Sequence, residues 1–240
     1  MVITSKTNPL IKKISSLSDK KFRRQSGLYL VEGIKPVREC IAANCEIQNI
    51  VCTQRNLSEF PSATVVSDEV FKSISSEKTP QGVIAVVKMP KAELAAPKGN
   101  CLLMDCLQDP GNLGTVIRTA NAAGYEEIYL INCTDAYSPK CVRASMSGIF
   151  FVKLYSGTYE EVFSALEGVP LVCAALDGEN IFGFKAPEKF CLCIGNEGGG
   201  LSDEVFNRAK YRVKIPMRET CESLNAAVSA GIAMYALKNN

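Results

Sequence analysis

CLLMDCLQDPGNLGTVIRTANAAGYEEIYLIN, residues 101–132, is the stretch whose reading decides the fold. Residues 101–107 are a near-continuous apolar run of strand length, residues 112–123 have helical spacing closed by Gly124 as the C′ residue, and residues 128–132 are a second apolar run. Strand, helix and strand in this order make a βαβ unit, and strands covered on both faces read as unbroken apolar runs, so a parallel sheet is expected. Downstream, Ser138 and Pro139 start another helix. Further strands are expected at 150–154, 169–175, 190–194 and 212–215, with helices between most of them and an Ala-rich helix from Leu224 to about Leu237.

Upstream of this unit the pattern is shorter and mixed. Asn8 and Pro9 read as an N-cap and first helical position, with Leu10, Ile11, Ile14 and Leu17 forming one apolar stripe. Lys20, Lys21, Arg23 and Arg24 are the densest basic cluster and run into an apolar segment at 28–31; on their own they read equally as a solvated turn or as a phosphate contact. Helical spacing at 34–43 and 68–74 alternates with strand-like runs at 47–52, 63–66 and 83–87, the mark of a small α/β unit. Residues 89–100 carry two prolines, an alanine pair, charges and a glycine, as an exposed linker does. The expected division is therefore 1–92, a linker at 93–100, and 101–240.

Composition excludes several kinds of protein. With 27 Lys plus Arg against 25 Asp plus Glu, the net charge is only +2, so any nucleic-acid contact must come from a local basic surface. Eleven cysteines without a CxxC pair, several of them inside apolar runs, do not make a disulfide framework. Cys191 and Cys193 share one face of an expected strand, but in a chain with no histidine they read as core packing and no metal site is expected. The absence of His also removes the usual general base and the Ser/His/Asp and Cys/His solutions. No stretch has the ~18 apolar residues of a membrane span, and the start of the chain lacks a signal-peptide core, so a cytoplasmic location is expected.

Three segments of the second domain follow strand ends, where open α/β sheets bind ligands. The first runs from Asp109 through Asn112 to Arg118; six positions apart on one helix, Asn112 and Arg118 stand about 120° from each other. The second is Gly195, Asn196, Glu197, Gly198, Gly199, Gly200, Leu201, with Ser202 as an N-cap, and its four glycines let backbone pass close to a ligand or another segment. It lacks the Lys and Ser or Thr of a phosphate loop and the spacing of a dinucleotide fingerprint, and Glu197 would repel a pyrophosphate. A neutral or cationic adenosine-type ligand fits better. The third holds Ile215, Pro216 and Met217, then Ser223, Leu224 and Asn225, with Ser223 expected as N-cap of the terminal helix and Asn225 in its first turn.

In this order and spacing the three segments resemble the SpoU family of RNA ribose methyltransferases, among the knotted methyltransferases: 112–118 is similar to the first motif, 195–201 to the second and 215–231 to the third. The run from Gly27 to Gly33 is similar to the opening of the ribosomal-protein-like (L30e-like) substrate-binding domain that many members carry, and 138–148 to the family's segment between motifs; no motif position departs from the pattern. The resemblance implies a deep trefoil knot in the catalytic domain, a rare exception to unthreaded chains. It implies S-adenosylmethionine as cofactor, held by backbone at Gly195, Ile215 and Leu224 with Met217 lining the pocket, and a homodimer with sites formed between protomers. It implies methylation of a ribose 2′-hydroxyl. The family's proposed base matches Arg118, although a guanidinium stays protonated and is better suited to a phosphate or a developing alkoxide. Asn112, Glu197, Ser223 and Asn225 match its other polar positions. Ribosomal RNA is the expected substrate. The alternatives are the same chemistry on transfer RNA, a dehydrogenase (opposed by the glycine spacing), and a non-catalytic RNA-binding protein (opposed by the presence of Asn112, Arg118, Glu197 and Asn225 together).

Overall fold

The computed structural model describes residues 2–196 and 198–238, so the expectation for Glu197 lies outside the described residues. Contacts divide the chain into two units, 1–90 with 135–150, and 91–134 with 151–240.

In the first unit, α1 (Pro9–Ser16) starts as its sequence demands, with the Asn8 side chain accepting from the Leu10 amide. Its apolar stripe buries Ile11 and Ile14. The basic cluster is no turn: Lys20–Ser26 is a helix, α2, because Asp19 caps it through the Lys21 amide and Gly27, at φ 65°, ends it in the left-handed region. Next come β1 (Leu28–Glu32), α3 (Ile34–Ala42), β2 (Ile47–Thr53), β3 (Thr64–Val66), α4 (Asp68–Ile74) and β4 (Val83–Lys88). The sheet order is β1-β4-β2-β3, with β4 antiparallel to both neighbours and β2 parallel to β3. Ile14, Leu28, Val51, Phe71, Ile84 and Val86 meet in its core. Residues 135–150 belong to this unit: Tyr137 packs on Tyr29 with ring centroids 4.9 Å apart, and Arg143 pairs with Glu77.

The second unit is a six-stranded sheet in the order β10-β8-β9-β5-β6-β7, and every pairing is parallel. Its elements are β5 (Cys101–Asp105), α5 (Pro110–Ala123), β6 (Glu127–Ile131), β7 (Lys153–Ser156), α7 (Tyr159–Ala165), β8 (Leu171–Asn180), β9 (Cys191–Ile194), α8 (Asp203–Phe206), β10 (Tyr211–Lys214) and α9 (Ala226–Lys238); α6 (Pro139–Ala144) lies in the other unit. The parallel sheet foreseen from residues 101–132 is thus present, with differences at strand ends: β8 runs past residue 175 to Asn180, and two other strands are shifted. β5 stops at Asp105 because Cys106 turns left-handed (φ 58°), and β7 begins only at Lys153, the preceding residues being spent on left-handed Met146 (φ 44°) and Ser147 (φ 68°) and a short 3₁₀ turn. Residues 93–100 form no helix or strand, yet they are tied down: Ala95 accepts from the Tyr129 hydroxyl at 2.6 Å, the Lys98 amide donates to Glu127 at 2.7 Å, and Lys189 donates to the Pro97 carbonyl. Buried Cys101, Cys173, Cys191 and Cys193 pack inside the sheet, where burial pushes the Cys191 thiol up.

Candidate active site

Because all strands run the same way, the carboxyl ends of β5, β9 and β10 deliver the three glycine- and polar-rich segments to one edge of the sheet. A cavity of about 760 Å³ opens there. Gly195, Ile215, Met217 and Leu224, singled out in the sequence for cofactor binding, all line it, and so does Ser223. Asn196 of the second segment lines it as well, and so do Leu176 and Asp177, which were missed; Asp177 carries a readable signal, a carboxylate that follows the apolar run of β8. Close backbone approach explains Gly195, where a Cβ would lie 2.1 Å from the Gly200 carbonyl carbon. Gly178 does the same on β8, where a Cβ would stand 2.5 Å from the Val213 nitrogen.

The terminal helix starts later than its sequence suggests. Asn225, not Ser223, is its cap: Asn225 Oδ1 accepts from the Ala227 and Val228 amides at 3.0 and 3.2 Å, and α9 begins at Ala226. That leaves the Asn225 amide group free to donate to Asn112 Oδ1 at 3.0 Å, joining the start of α9 to the start of α5. On its own side, Asn112 is held by the cap of α5, its amide donating to Asp109 Oδ1 at 2.8 Å. Two of the predicted polar residues are therefore in direct contact, from positions 113 residues apart.

Arg118 is not brought to them. α5 is regular from Pro110, so Arg118 projects from a different side of the helix than Asn112; it is exposed, outside the cavity lining, and without a hydrogen bond or ion pair among the described residues. Of the four basic residues expected at an RNA surface, Lys20, Lys21 and Arg24 are exposed, whereas Arg23 is buried at 3% exposure. Its guanidinium donates twice to Asp135 Oδ2, at 2.9 and 2.6 Å, and to the carbonyls of Leu17 and Ser18 at 2.8 and 2.7 Å. Those bonds use its donors inside the protein, so Arg23 leaves the basic surface to the other three.

The lining fits a cationic adenosine-type ligand. Ile194, Leu201, Ile215, Met217 and Leu224 give an apolar wall, loop backbone supplies hydrogen-bonding groups, and the charged residues are Asp177, Glu222 and a single Lys214, a poor set for a polyphosphate. Among the described residues no cluster of three or more His, Cys, Asp or Glu is arranged to hold a metal ion.

Comparison with known proteins agrees with this geometry. Residues 99–235 match the SpoU rRNA Methylase family, and residues 8–85 match the MRM3-like substrate binding domain. The 23S rRNA (guanosine(2553)-2′-O)-methyltransferase RlmP of Bacillus subtilis (strain 168) is 32% identical, the alignment covering 98% of each chain. The AdoMet-bound rRNA methyltransferase from Sinorhizobium meliloti superposes with a TM-score of 0.90 at 28% identity, over 100% of this chain and 97% of that one. The SpoU methyltransferase AviRb from Streptomyces viridochromogenes, in complex with AdoMet, gives 0.86 at 25% identity, over 97% of both chains. With two of its three family segments lining the cavity and the first tied to the third through the Asn112–Asn225 bond, the chain belongs to the SpoU rRNA Methylase family.

Proposed function

We propose that the protein is an S-adenosylmethionine-dependent RNA methyltransferase that methylates a ribose 2′-hydroxyl of ribosomal RNA, of the 23S type. The observation that carries this reading is the cavity at the ends of β9 and β10, lined by Gly195, Ile215, Met217 and Leu224 with the Asn112–Asn225 pair fixing the adjoining helix starts. The relatives named for 23S rRNA 2′-O-methylation and the AdoMet-bound neighbours support both the reaction and the cofactor. S-adenosylmethionine supplies an electrophilic methyl on a sulfonium. The chain's own work is to hold the adenosine part by main-chain groups of the loops, to orient the ribose hydroxyl for in-line attack, and to manage its proton. Asn112 and Asn225 orient; Ser223 and Glu197 are the remaining polar members. Arg118 steadies the phosphate or the developing alkoxide, since its guanidinium keeps its charge and makes a poor base.

The working enzyme is a homodimer in this reading. Arg118 stands outside the cavity lining of its own protomer, and α9 exposes Val228 and Tyr235, seven residues apart on one face, at 51% and 45%. A partner protomer completes the site. The N-terminal unit, residues 1–92, then the segment 93–100, precede the catalytic region 101–240; RNA is gripped by Lys20, Lys21 and Arg24. The close crossings at Gly178 and Gly195 support a deep trefoil knot, and a cytoplasmic location suits an enzyme of ribosomal RNA; no helix among the described residues is long and apolar enough to cross a membrane. Incubation of the protein with methyl-labelled S-adenosylmethionine and ribosomal or transfer RNA tests the substrate: label recovered on ribose of large-subunit rRNA supports it, and label on transfer RNA alone replaces it with the tRNA alternative.

A further inference from the structure

The last residue of β5 is a carboxylate with no exposed surface, and it does not line the cavity. Asp105 Oδ1 accepts from the Tyr159 hydroxyl at 2.9 Å, and Oδ2 accepts from the Ser202 backbone amide at 2.7 Å. Among the described residues its hydrogen bonds come from these neutral donors and it forms no ion pair. Burial pushes the Tyr159 phenol up, so it stays protonated and remains a donor. The next residue, Cys106, takes the left-handed backbone at φ 58°, and its carbonyl accepts from Asn196 Nδ2 at 2.8 Å and from Gln108 Nε2 at 3.1 Å.

Asn196 and Ser202 are the two ends of the glycine loop. Between them Asn196 and Gly200 exchange both backbone bonds at 2.9 Å, and Asn196 Oδ1 accepts from the Gly198 amide at 2.8 Å. A single dipeptide, Asp105–Cys106, thus clamps both ends of a loop whose glycines supply no side chains to pack it. Burying a carboxylate that meets only neutral donors is costly, and an apolar residue would complete the sheet at lower cost. A left-handed non-glycine residue beside it adds strain. Both costs are spent on one thing, the position of the loop.

We propose that Asp105, backed by Tyr159, is a positioning residue that holds the ends of the glycine loop, Asn196 and Ser202, where cofactor binding needs them. This rests on the reading that the cavity binds S-adenosylmethionine. The test measures S-adenosylmethionine affinity by calorimetry and methyl transfer at saturating cofactor and RNA, on the full chain. Asp105→Ala leaves the Ser202 amide unmatched and should weaken cofactor binding by about tenfold or more, the size of one lost buried acceptor, with the saturated rate within a fewfold of the parent. Asp105→Asn should restore most of the affinity, because its carbonyl accepts from Ser202 and its amide group donates to the Tyr159 oxygen. Tyr159→Phe should give a smaller loss of the same kind. If the alanine variant is insoluble, Asp105→Leu fills the volume without a polar atom and takes its place. Gly195→Val, whose side chain collides with Gly200, is the control for the site itself. Unchanged affinity in Asp105→Ala while Gly195→Val loses binding overturns the proposal and leaves the site standing; unchanged affinity in both overturns the site. An Asp105→Asn variant as weak as Asp105→Ala, or a fall in saturated rate at unchanged affinity, also contradicts positioning through hydrogen-bond acceptance.

Discussion

Arg118 and Arg23 are both helix arginines, and their surroundings set them apart. Arg118 is exposed, so its fork of donors is open to the proposed contact with RNA or a partner protomer. Its replacement by alanine should slow methyl transfer roughly a hundredfold or more, the loss typical of one transition-state donor, while cofactor affinity holds. Arg118→Lys separates charge from planar geometry: partial rescue in single-turnover rates indicates an electrostatic role, and a wild-type rate for Arg118→Ala shows an ordinary surface residue. Arg23, at 3% exposure against Asp135 at 15%, is a structural ion pair. Removing one partner of such a pair should cost about 3 kcal/mol, read as a fall in the denaturant midpoint of Arg23→Ala, whereas Lys20→Ala should change stability little. Four basic residues within five positions look alike in the sequence. What singles out Arg23 is an acid 112 positions away, which no local pattern contains.

At the scale of elements, strand and helix types were legible wherever local chemistry is strong: Asn8 and Pro9 at α1, Ser138 and Pro139 at α6, Gly124 at the end of α5. The misread points are those where a tertiary bond chooses between two local options. Ser223 and Asn225 are both good caps, and Asn225 is the one used, with its free amide group bonded to Asn112. Asn225→Ala should therefore destabilise α9 by about 1 kcal/mol and also slow methyl transfer, while Ser223→Ala leaves stability unchanged. Thermal melts paired with single-turnover rates check this; equal melting of the two variants would argue against the assigned cap. For Lys20, Lys21, Arg23 and Arg24 the reading of a solvated turn gives way to a helix, which depends on the pairing of Asp19 before it with Gly27 after it.

For the molecule as a whole, the parallel sheet and the cavity walls were readable because apolar runs and loop glycines report backbone requirements directly. Asp105 and Leu176 were not, since their roles arise only when distant strands are laid side by side. Charge is near balance, so RNA affinity must depend on a local surface: reversing Lys20, Lys21 and Arg24 together should weaken RNA binding and flatten its salt dependence, with stability kept. An unchanged salt slope would make them merely solvated. The proposed dimer is checked by sedimentation: the parent should run as a dimer and Val228→Glu with Tyr235→Glu as a folded monomer of low activity, whereas a monomeric parent would contradict the dimer and a dimeric variant the α9 interface. The central claim is ribose methylation of ribosomal RNA by S-adenosylmethionine. Its most direct test is nucleoside mass spectrometry of unmodified large-subunit rRNA treated with the protein and cofactor. A single new 2′-O-methylnucleoside, absent with Arg118→Ala, is the expected result; a methylated base, or no methylation by folded protein that binds the cofactor, would contradict it.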